Sequence, residues 1–368
     1  MPDREPGAPA RACRAGGDGS TRQVDRRGRP GVGSGVCRRA PAPRGRRTRH
    51  VSAPFVSIVL PTRNGAATLS SLLDSIARQR VGFSFEIVAV DSSSNDGTAD
   101  LLRGRVDRLI SIPADAFDHG LTRNLGIEHA GGELIVLLVQ DALPASDSWL
   151  ARLTAPLIAD DRIAGAYARQ VPRPDASAIT RHYLARSVAS SDVGRTIAVA
   201  DGAELEALDP MARLERCAFD NVCSCIRRST WSRHPFRRTP IAEDIEWARE
   251  VLLGGYRIAY VPEAEVVHSH DRSTRYELAR TCVLHRRLHE LFKLRTIPTL
   301  PLLARAIASS LVVHLRCQTQ ASRVFDGSGR AIALAFAWPL GQYLGALSAA
   351  RGWTPFRFEN GLVKVPGR

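Results

Sequence analysis

Two apolar runs in this chain end in a carboxylate. Phe85-Glu-Ile-Val-Ala-Val90 leads into Asp91, and Leu134-Ile-Val-Leu-Leu-Val139 leads into Gln140-Asp141. Strands that deliver an acid at their C-terminal ends mark the ligand-binding edge of an open α/β sheet. Between them lies Phe117-Asp-His119-Gly-Leu-Thr-Arg123-Asn124-Leu-Gly126. It sets Arg123 and Asn124 near a helix N-terminus, where the dipole and the guanidinium both suit polar or anionic groups. His119, between an Asp and a Gly, has room to reach a cleft. Farther on, Glu243-Asp244 opens a helical pattern, and Val267-His268-Ser-His270 closes another apolar run. One carboxylate plus phosphate oxygens and water can hold Mg²⁺ or Mn²⁺, and imidazole suits transition metals such as Mn²⁺. His268 and His270 share one face of an extended strand, so alternation does not choose between them.

The elements that must position these groups alternate between strand and helix. Strands are expected at 56–60, 85–90, 109–112 and 133–139, with helices at 66–79, 98–102 and 121–130. That order predicts an α/β fold with a doubly wound, mostly parallel sheet and flanking helices. Asp96 or Thr98 caps the helix through Leu102. Beyond Asp141 come a helix at 147–159, a strand at 163–170, a strand-like run at 219–226, a helix at 242–253, strands at 256–261 and 264–268, and a helix over 274–295. The intervening 172–210 is polar and irregular and reads as a mobile flap over the site.

The net charge of +14 is unevenly placed. Residues 1–50 hold thirteen Arg against four acids, a net of +9, so the rest of the chain is close to ordinary. Rich in Arg, Gly, Ala and Pro, residues 1–53 are expected to be a disordered basic tail. Nucleic acid is therefore not the expected partner of the folded part. The seven Cys are irregularly spaced and read as reduced structural thiols in a cytoplasmic setting. The uncharged stretch 331–350 just reaches spanning length, but its Pro, Gly, Gln and many Ala favour a packed or membrane-surface helix pair. A helical C-terminal extension, 273–368, with peripheral membrane contact is expected, at the inner face of the plasma membrane.

Val59-Leu-Pro61-Thr62-Arg-Asn64, Val90-Asp91-Ser-Ser-Ser-Asn-Asp96-Gly-Thr98, Thr122-Arg123-Asn124-Leu-Gly126 and Glu243-Asp244 stand in the order seen in family 2 glycosyltransferases. Phe117 to Asn124 and Gln140-Asp-Ala-Leu-Pro144 more narrowly resemble the bacterial rhamnosyltransferase branch. The resemblance covers about residues 55–272 and implies a GT-A glycosyltransferase domain over 54–272. It further implies a nucleotide-sugar donor, with dTDP-L-rhamnose foremost, and a saccharide or polyprenyl-linked glycan acceptor in surface polysaccharide assembly. Carried over residue by residue, it gives the nucleoside to Asp91, helped by Pro61, Thr62 and Asn64, and the nucleotide's polar groups to Arg123, Asn124 and Gln140. A divalent cation, Mg²⁺ or Mn²⁺, falls to Asp141 with His268 or His270. The base that takes the acceptor proton in an inverting transfer is Asp244, with Glu243 second. Asn221, Ser224 and Trp231 resemble an acceptor-side segment.

The chain departs from the family pattern at Val139, where the first Asp of the usual Asp-x-Asp is missing. That keeps alive a non-catalytic nucleotide-sugar-binding protein with a degenerate metal site. A nucleotidyltransferase would want a Gly-rich phosphate loop after the first strand, which Pro61-Thr-Arg-Asn-Gly65 does not supply.

Overall fold

The first strand, β1 (Val56–Thr62), is buried on both faces from Val56 to Leu60, as a central parallel strand must be. The computed structural model describes residues 54–319, 328–359 and 362–364; the expected tail at 1–53 lies outside them. After β1 come α1 (Ala66–Ala77), β2 (Phe85–Asp91), α2 (Thr98–Leu102), β3 (Arg108–Ser111), α3 (His119–Glu128) and β4 (Leu134–Leu138). The first helix follows the periodicity expected of it: α1 buries Leu69, Leu72, Leu73 and Ile76 along one stripe. The chain continues through β5 (Leu143–Pro144), α4 (Trp149–Ala159), β6 (Ile163–Val171), α5 (Ala178–Leu184), β7 (Arg195–Ile197), α6 (Gly202–Ala207) and α7 (Pro210–Arg216). Then follow β8 (Cys223–Arg227), α8 (Arg228–Trp231), α9 (Glu243–Leu253), β9 (Arg257–Val267), α10 (Thr274–Phe292), α11 (Leu300–Thr319), α12 (Ser328–Arg351), β10 (Arg357–Glu359) and β11 (Leu362–Lys364).

Nine strands form one sheet in the order β3-β2-β1-β4-β8-β6-β9-β5, with β7 also paired to β9. The first four are parallel, the doubly wound half. The second half is mixed, because β8 runs antiparallel to both β4 and β6 while β6 and β9 are parallel. Two reversals restore the direction. The C-terminal ends of β1, β2, β4, β6 and β9 therefore share one edge with the N-terminal end of β8. Strand order reverses at the β1–β4 pair, where a ligand crevice is expected. Core side chains fill both faces, Leu60, Leu69, Ala89 and Trp149 on one and Val59, Tyr167, Phe219 and Trp247 on the other.

Three expectations change. The segment 172–210 is not simply irregular: it forms α5, β7 and α6. Ser177 and Asp201 cap its two helices with side-chain oxygens, and β7 pairs with β9. The two strands expected at 256–261 and 264–268 are one. Pro262, which cannot donate to a ladder, sits where the register against β6 slips between Val261 and Glu265. Finally, the helical extension expected over 273–368 contains a separate helix, α11, where Pro301, Arg305 and Arg316 interrupt the apolar pattern.

The 331–350 stretch lies within α12, which packs along α10. A Cβ on Gly345 would meet Cys282 O at 2.4 Å, and one on Gly341 would meet Leu278 O at 2.9 Å. Its small residues thus let two helices approach closely. Both α11 and α12 are long and apolar enough to cross a membrane by length and composition, but half of the apolar window in α12 is buried against only 17% in α11. The helix α11 buries Leu303, His314 and Cys317 and exposes Leu300, Leu302, Val312 and Leu315. His314 holds it in place, bonding Ala331 O at 2.9 Å and Tyr183 Oη of α5 at 3.0 Å.

Candidate active site

Thr62 and Asp91 are register partners at the ends of β1 and β2. Asp91 is 2% exposed; its carboxylate accepts from Thr62 Oγ1 at 3.0 Å, from Ser94 Oγ at 2.6 Å and from Ser94 N at 3.0 Å. Pro61 precedes Thr62 opposite Val90. Asn64, in the left-handed region at φ 48°, joins the two loops: its N donates to Ser94 Oγ, and its Oδ1 accepts from Asn95 N. Asp96 accepts from Thr98 N and Oγ1 and from Ala66 N, bonds that hold its carboxyl below the usual range. It ties two helix starts together, although the residue before α2 is Gly97.

Two residues expected at the nucleotide face elsewhere. The Gln140 amide is closed on the Arg63 backbone, accepting from its N and donating to its O, both at 2.9 Å. It lies so close to the loop that a Cβ on Gly65 would come within 2.3 Å of Gln140 Oε1. Asn124 Oδ1 accepts from Trp231 Nε1 and Phe236 N, and its Nδ2 donates to Phe236 O at 2.7 Å. Trp231 and Asn124 thereby fasten the loop before α9 to α3. Both amides staple the backbone.

Arg123 also has a neighbour other than the one expected. Its guanidinium is buried against Glu243 at 3.0 Å, with side-chain exposures of 6% and 7%, and donates to His119 O and Asn221 O. Burial raises the Glu243 carboxyl, but Arg123 and His119 outweigh it, and the net shift is downward. Burial lowers the His119 imidazole, whose ring packs edge-on against Phe117.

Glu243 is thus a fixed anion, and its neighbour Asp244 is the less buried of the two acids. Among the described residues Asp244 accepts backbone bonds, from Asn221 N at 3.2 Å and Ile245 N at 2.8 Å. Burial, then the nearby Glu243 and Asp220 charges, pushes its carboxyl up to about 8. A carboxyl poised near neutrality suits a general base. Ala242, left-handed at φ 63°, turns the chain into α9 just before this pair.

At the same edge, Asp141, His268 and His270 bring one ligand atom each within 4.8 Å of one another. His270 Nε2 lies 3.2 Å and His268 Nε2 3.7 Å from the Asp141 carboxylate, and the two Nε2 atoms are 3.1 Å apart. Cis ligands of an octahedral ion at about 2.1 Å lie roughly 3 Å apart, so the set fits one cation. Burial first lowers both rings, His268 to about 4, and neutral imidazole is the ligating form. The two His and Asp141 sit far apart in sequence; the antiparallel pairing of β5 with β9, with Leu143 opposite Val267, brings them together.

Asp220 and Gln170 were not singled out in the sequence. Asp220 precedes an antiparallel strand, so its N-terminal end meets the same edge, and sequence shows no strand direction. Burial raises its carboxyl. Ser224 Oγ donates to Asn221 Oδ1 at 2.8 Å, shaping the turn that carries Asp220. Cys217, Cys223, Cys225, Cys282 and Cys317 are free and buried.

Residues 57–239 match the family described as Glycosyl transferase family 2. The chain is 29% identical over 230 residues to the O-antigen chain rhamnosyltransferase RfbN of Salmonella typhimurium, covering 61% of this chain and 69% of that protein. It is 28% identical over 232 residues to the O-antigen chain rhamnosyltransferase WbaN of Salmonella anatum, covering 62% and 70%. The mannosyltransferase PcManGT from Pyrobaculum calidifontis, solved with GDP-Man and Mn²⁺, shares the fold at a TM-score of 0.51 and 20% identity over 82% of this chain and 88% of that one.

Because the folded pKa of Asp244, about 8, lies above its ordinary 3.8, the folded protein keeps a proton that the unfolded chain has released across that window. This contribution to stability is complete below about pH 4 and lost as pH rises through about 8. Asp244→Asn should therefore melt higher than the wild type at pH 8, with the difference shrinking towards pH 4. Melting curves across that range check it; a constant difference would show an Asp244 pKa near 4.

Proposed function

Since the chain belongs to glycosyl transferase family 2 and has its GT-A fold, we propose that it is an inverting glycosyltransferase that moves a sugar from a nucleotide donor to a saccharide acceptor. The observation that carries this reading is that Asp244, a partly buried carboxyl pushed up to about 8, shares a sheet edge with Asp91 and the Asp141/His268/His270 triad. The domain is taken as 54–272 and the extension as 273–368. L-Rhamnose, carried on dTDP, is the proposed sugar, supported by the two O-antigen chain rhamnosyltransferase relatives. The proposed acceptor is a saccharide of a surface polysaccharide, carried on a polyprenyl lipid at the cytoplasmic face of the membrane.

In this reading Asp91, with Thr62 and Ser94 fixing its oxygens, accepts hydrogen bonds from the nucleoside. Pro61 and Asn64 shape the wall of the pocket. Asp141, His268 and His270 would hold a divalent cation, whose charge stabilises a diphosphate leaving group. Asp244 takes the proton of the acceptor hydroxyl as that oxygen bonds to the anomeric carbon. The bond from the anomeric carbon to the diphosphate breaks on the opposite face, and the nucleoside diphosphate leaves with the electron pair. Glu243, paired with Arg123, cannot share the proton and keeps the proton affinity of Asp244 high. Val139, where the family's first Asp is missing, packs against the apolar core, so the cation's protein ligands would be Asp141 and the two histidines. Membrane contact is assigned to the exposed face of α11, where Val312 and Leu315 stand beside Arg305 and Arg316. No acid occurs from Leu291 to Thr319, which suits an anionic lipid surface.

Three outcomes test these assignments. dTDP-rhamnose should raise the melting temperature more with Mn²⁺ than with EDTA, and Asp141→Ala should erase that difference; equal shifts in the wild type would favour the degenerate-site alternative. Asp244→Asn should leave donor binding intact and lower turnover by roughly 10²–10⁴-fold, while wild-type turnover rises with pH and levels off above about 8. In co-sedimentation with anionic phospholipid vesicles, losing Arg305 and Arg316 should weaken binding about fivefold each; unchanged binding removes α11 from the contact.

A further inference from the structure

Gln170 is buried at the end of β6, and both ends of its amide are engaged by the site. Its Oε1 lies 2.9 Å from His268 Nδ1, and its Nε2 donates to Asp220 Oδ2. The other Asp220 oxygen accepts from Val222 N at 2.8 Å. The Gln170 backbone N donates to Ala189 O at 2.7 Å, fixing the strand end that carries the amide.

These partners determine a direction. Asp220 Oδ1 accepts from Val222 N, and an ionised carboxylate only accepts, so with Asp220 ionised the NH₂ of Gln170 faces Asp220 and its oxygen faces His268. An amide oxygen also only accepts. Nδ1 of His268 must then carry the ring proton, and Nε2 keeps its lone pair. That lone pair lies at the triad, 3.1 Å from His270 Nε2 and 3.7 Å from Asp141. Metal-binding imidazoles have their other nitrogen fixed in this way, which sets both tautomer and ring orientation.

We propose that Gln170, its direction set by Asp220, is a positioning residue that holds His268 in the Nδ1–H tautomer with Nε2 ready for a cation. The proposal rests on the triad as a cation site. It also couples two parts of the site: Asp220 belongs to the carboxylate group beside Asp244 and makes no hydrogen bond to Asp141, His268 or His270 among the described residues. A single path thus runs from the acid group at the start of α9 to the triad at the end of β9, and Gln170 is its middle member.

The experiment uses the full chain in two measurements. Long-range ¹H–¹⁵N correlation of histidine rings in metal-free protein, assigned with His268→Asn, should show His268 protonated on Nδ1. A ring protonated on Nε2, as a reversed amide would give, overturns the proposal. Mn²⁺ titration followed by the EPR signal of the free ion should show Gln170→Met weakening binding by about 10–100-fold. Gln170→Glu made together with Asp220→Asn, which keeps an acceptor for Nδ1–H and a donor facing it, should stay within a few-fold of the wild type. Equal affinity in Gln170→Met, or an equal loss in both variants, overturns the role. Should the Met variant fail to fold, the tautomer and the Glu variant decide. If the wild type binds no Mn²⁺, the cation reading under the proposed function fails, and the tautomer still decides what Gln170 does.

Discussion

The buried ion pair between Arg123 and Glu243 is the interaction on which the rest of the site depends. It joins α3, from the parallel half of the sheet, to α9, from the mixed half, with little solvent access. Removing one member of such a pair leaves an uncompensated charge and costs about 3–5 kcal/mol. Its electrostatic effect is as important as its mechanical one. Burial first, and then the Glu243 anion that this pair holds in place, make the adjacent carboxyl the one that resists ionisation. Two acids next to each other in sequence thus acquire opposite characters, one permanently charged and one poised near neutrality.

A second constraint is the backbone clasp around Asp91. The loops after β1 and β2 are bound to each other through Asn64, Ser94, Asn95 and Asp96, and the first is bound to the end of β4 through Gln140. Few of these bonds lie within a single loop. The loops around Asp91 are therefore cross-linked by the protein's own bonds, and a preorganised site loses less ordering entropy on binding. Gln140 and Asn124 contribute as staples, which leaves Asp91 and its hydroxyl partners as the polar groups proposed to meet a nucleoside.

The C-terminal helices divide two tasks between them. Small residues along α12 allow close approach to α10, where backbone meets backbone, and that helix is part of the protein's own packing. Apolar side chains on α11 instead face outward, beside Arg305 and Arg316. Composition made the two helices look alike, and contacts separate them.

The parallel half of the fold was legible in the sequence because short-range chemistry specifies it. Apolar runs ending in Asp91 and Asp141, turn residues after each strand and the i, i+3, i+4 stripe of α1 are all local signals, and they locate the ligand edge. The mixed half was not legible to the same degree. Sequence carries no mark of strand direction, so nothing local announced that Asp220 at the start of β8 and His268 at the end of β9 would meet on the edge that Asp141 occupies. Nor could residue type tell an amide that binds a ligand from one that binds backbone: Asn124, Gln140 and Gln170 have the same chemistry, and only their neighbours distinguish them. The sequence by itself determined which acids and imidazoles were available and where the first strands would end. The tertiary structure decided which were paired, which stayed poised near neutrality and which converged, because burial and charge proximity arise only when distant segments pack together.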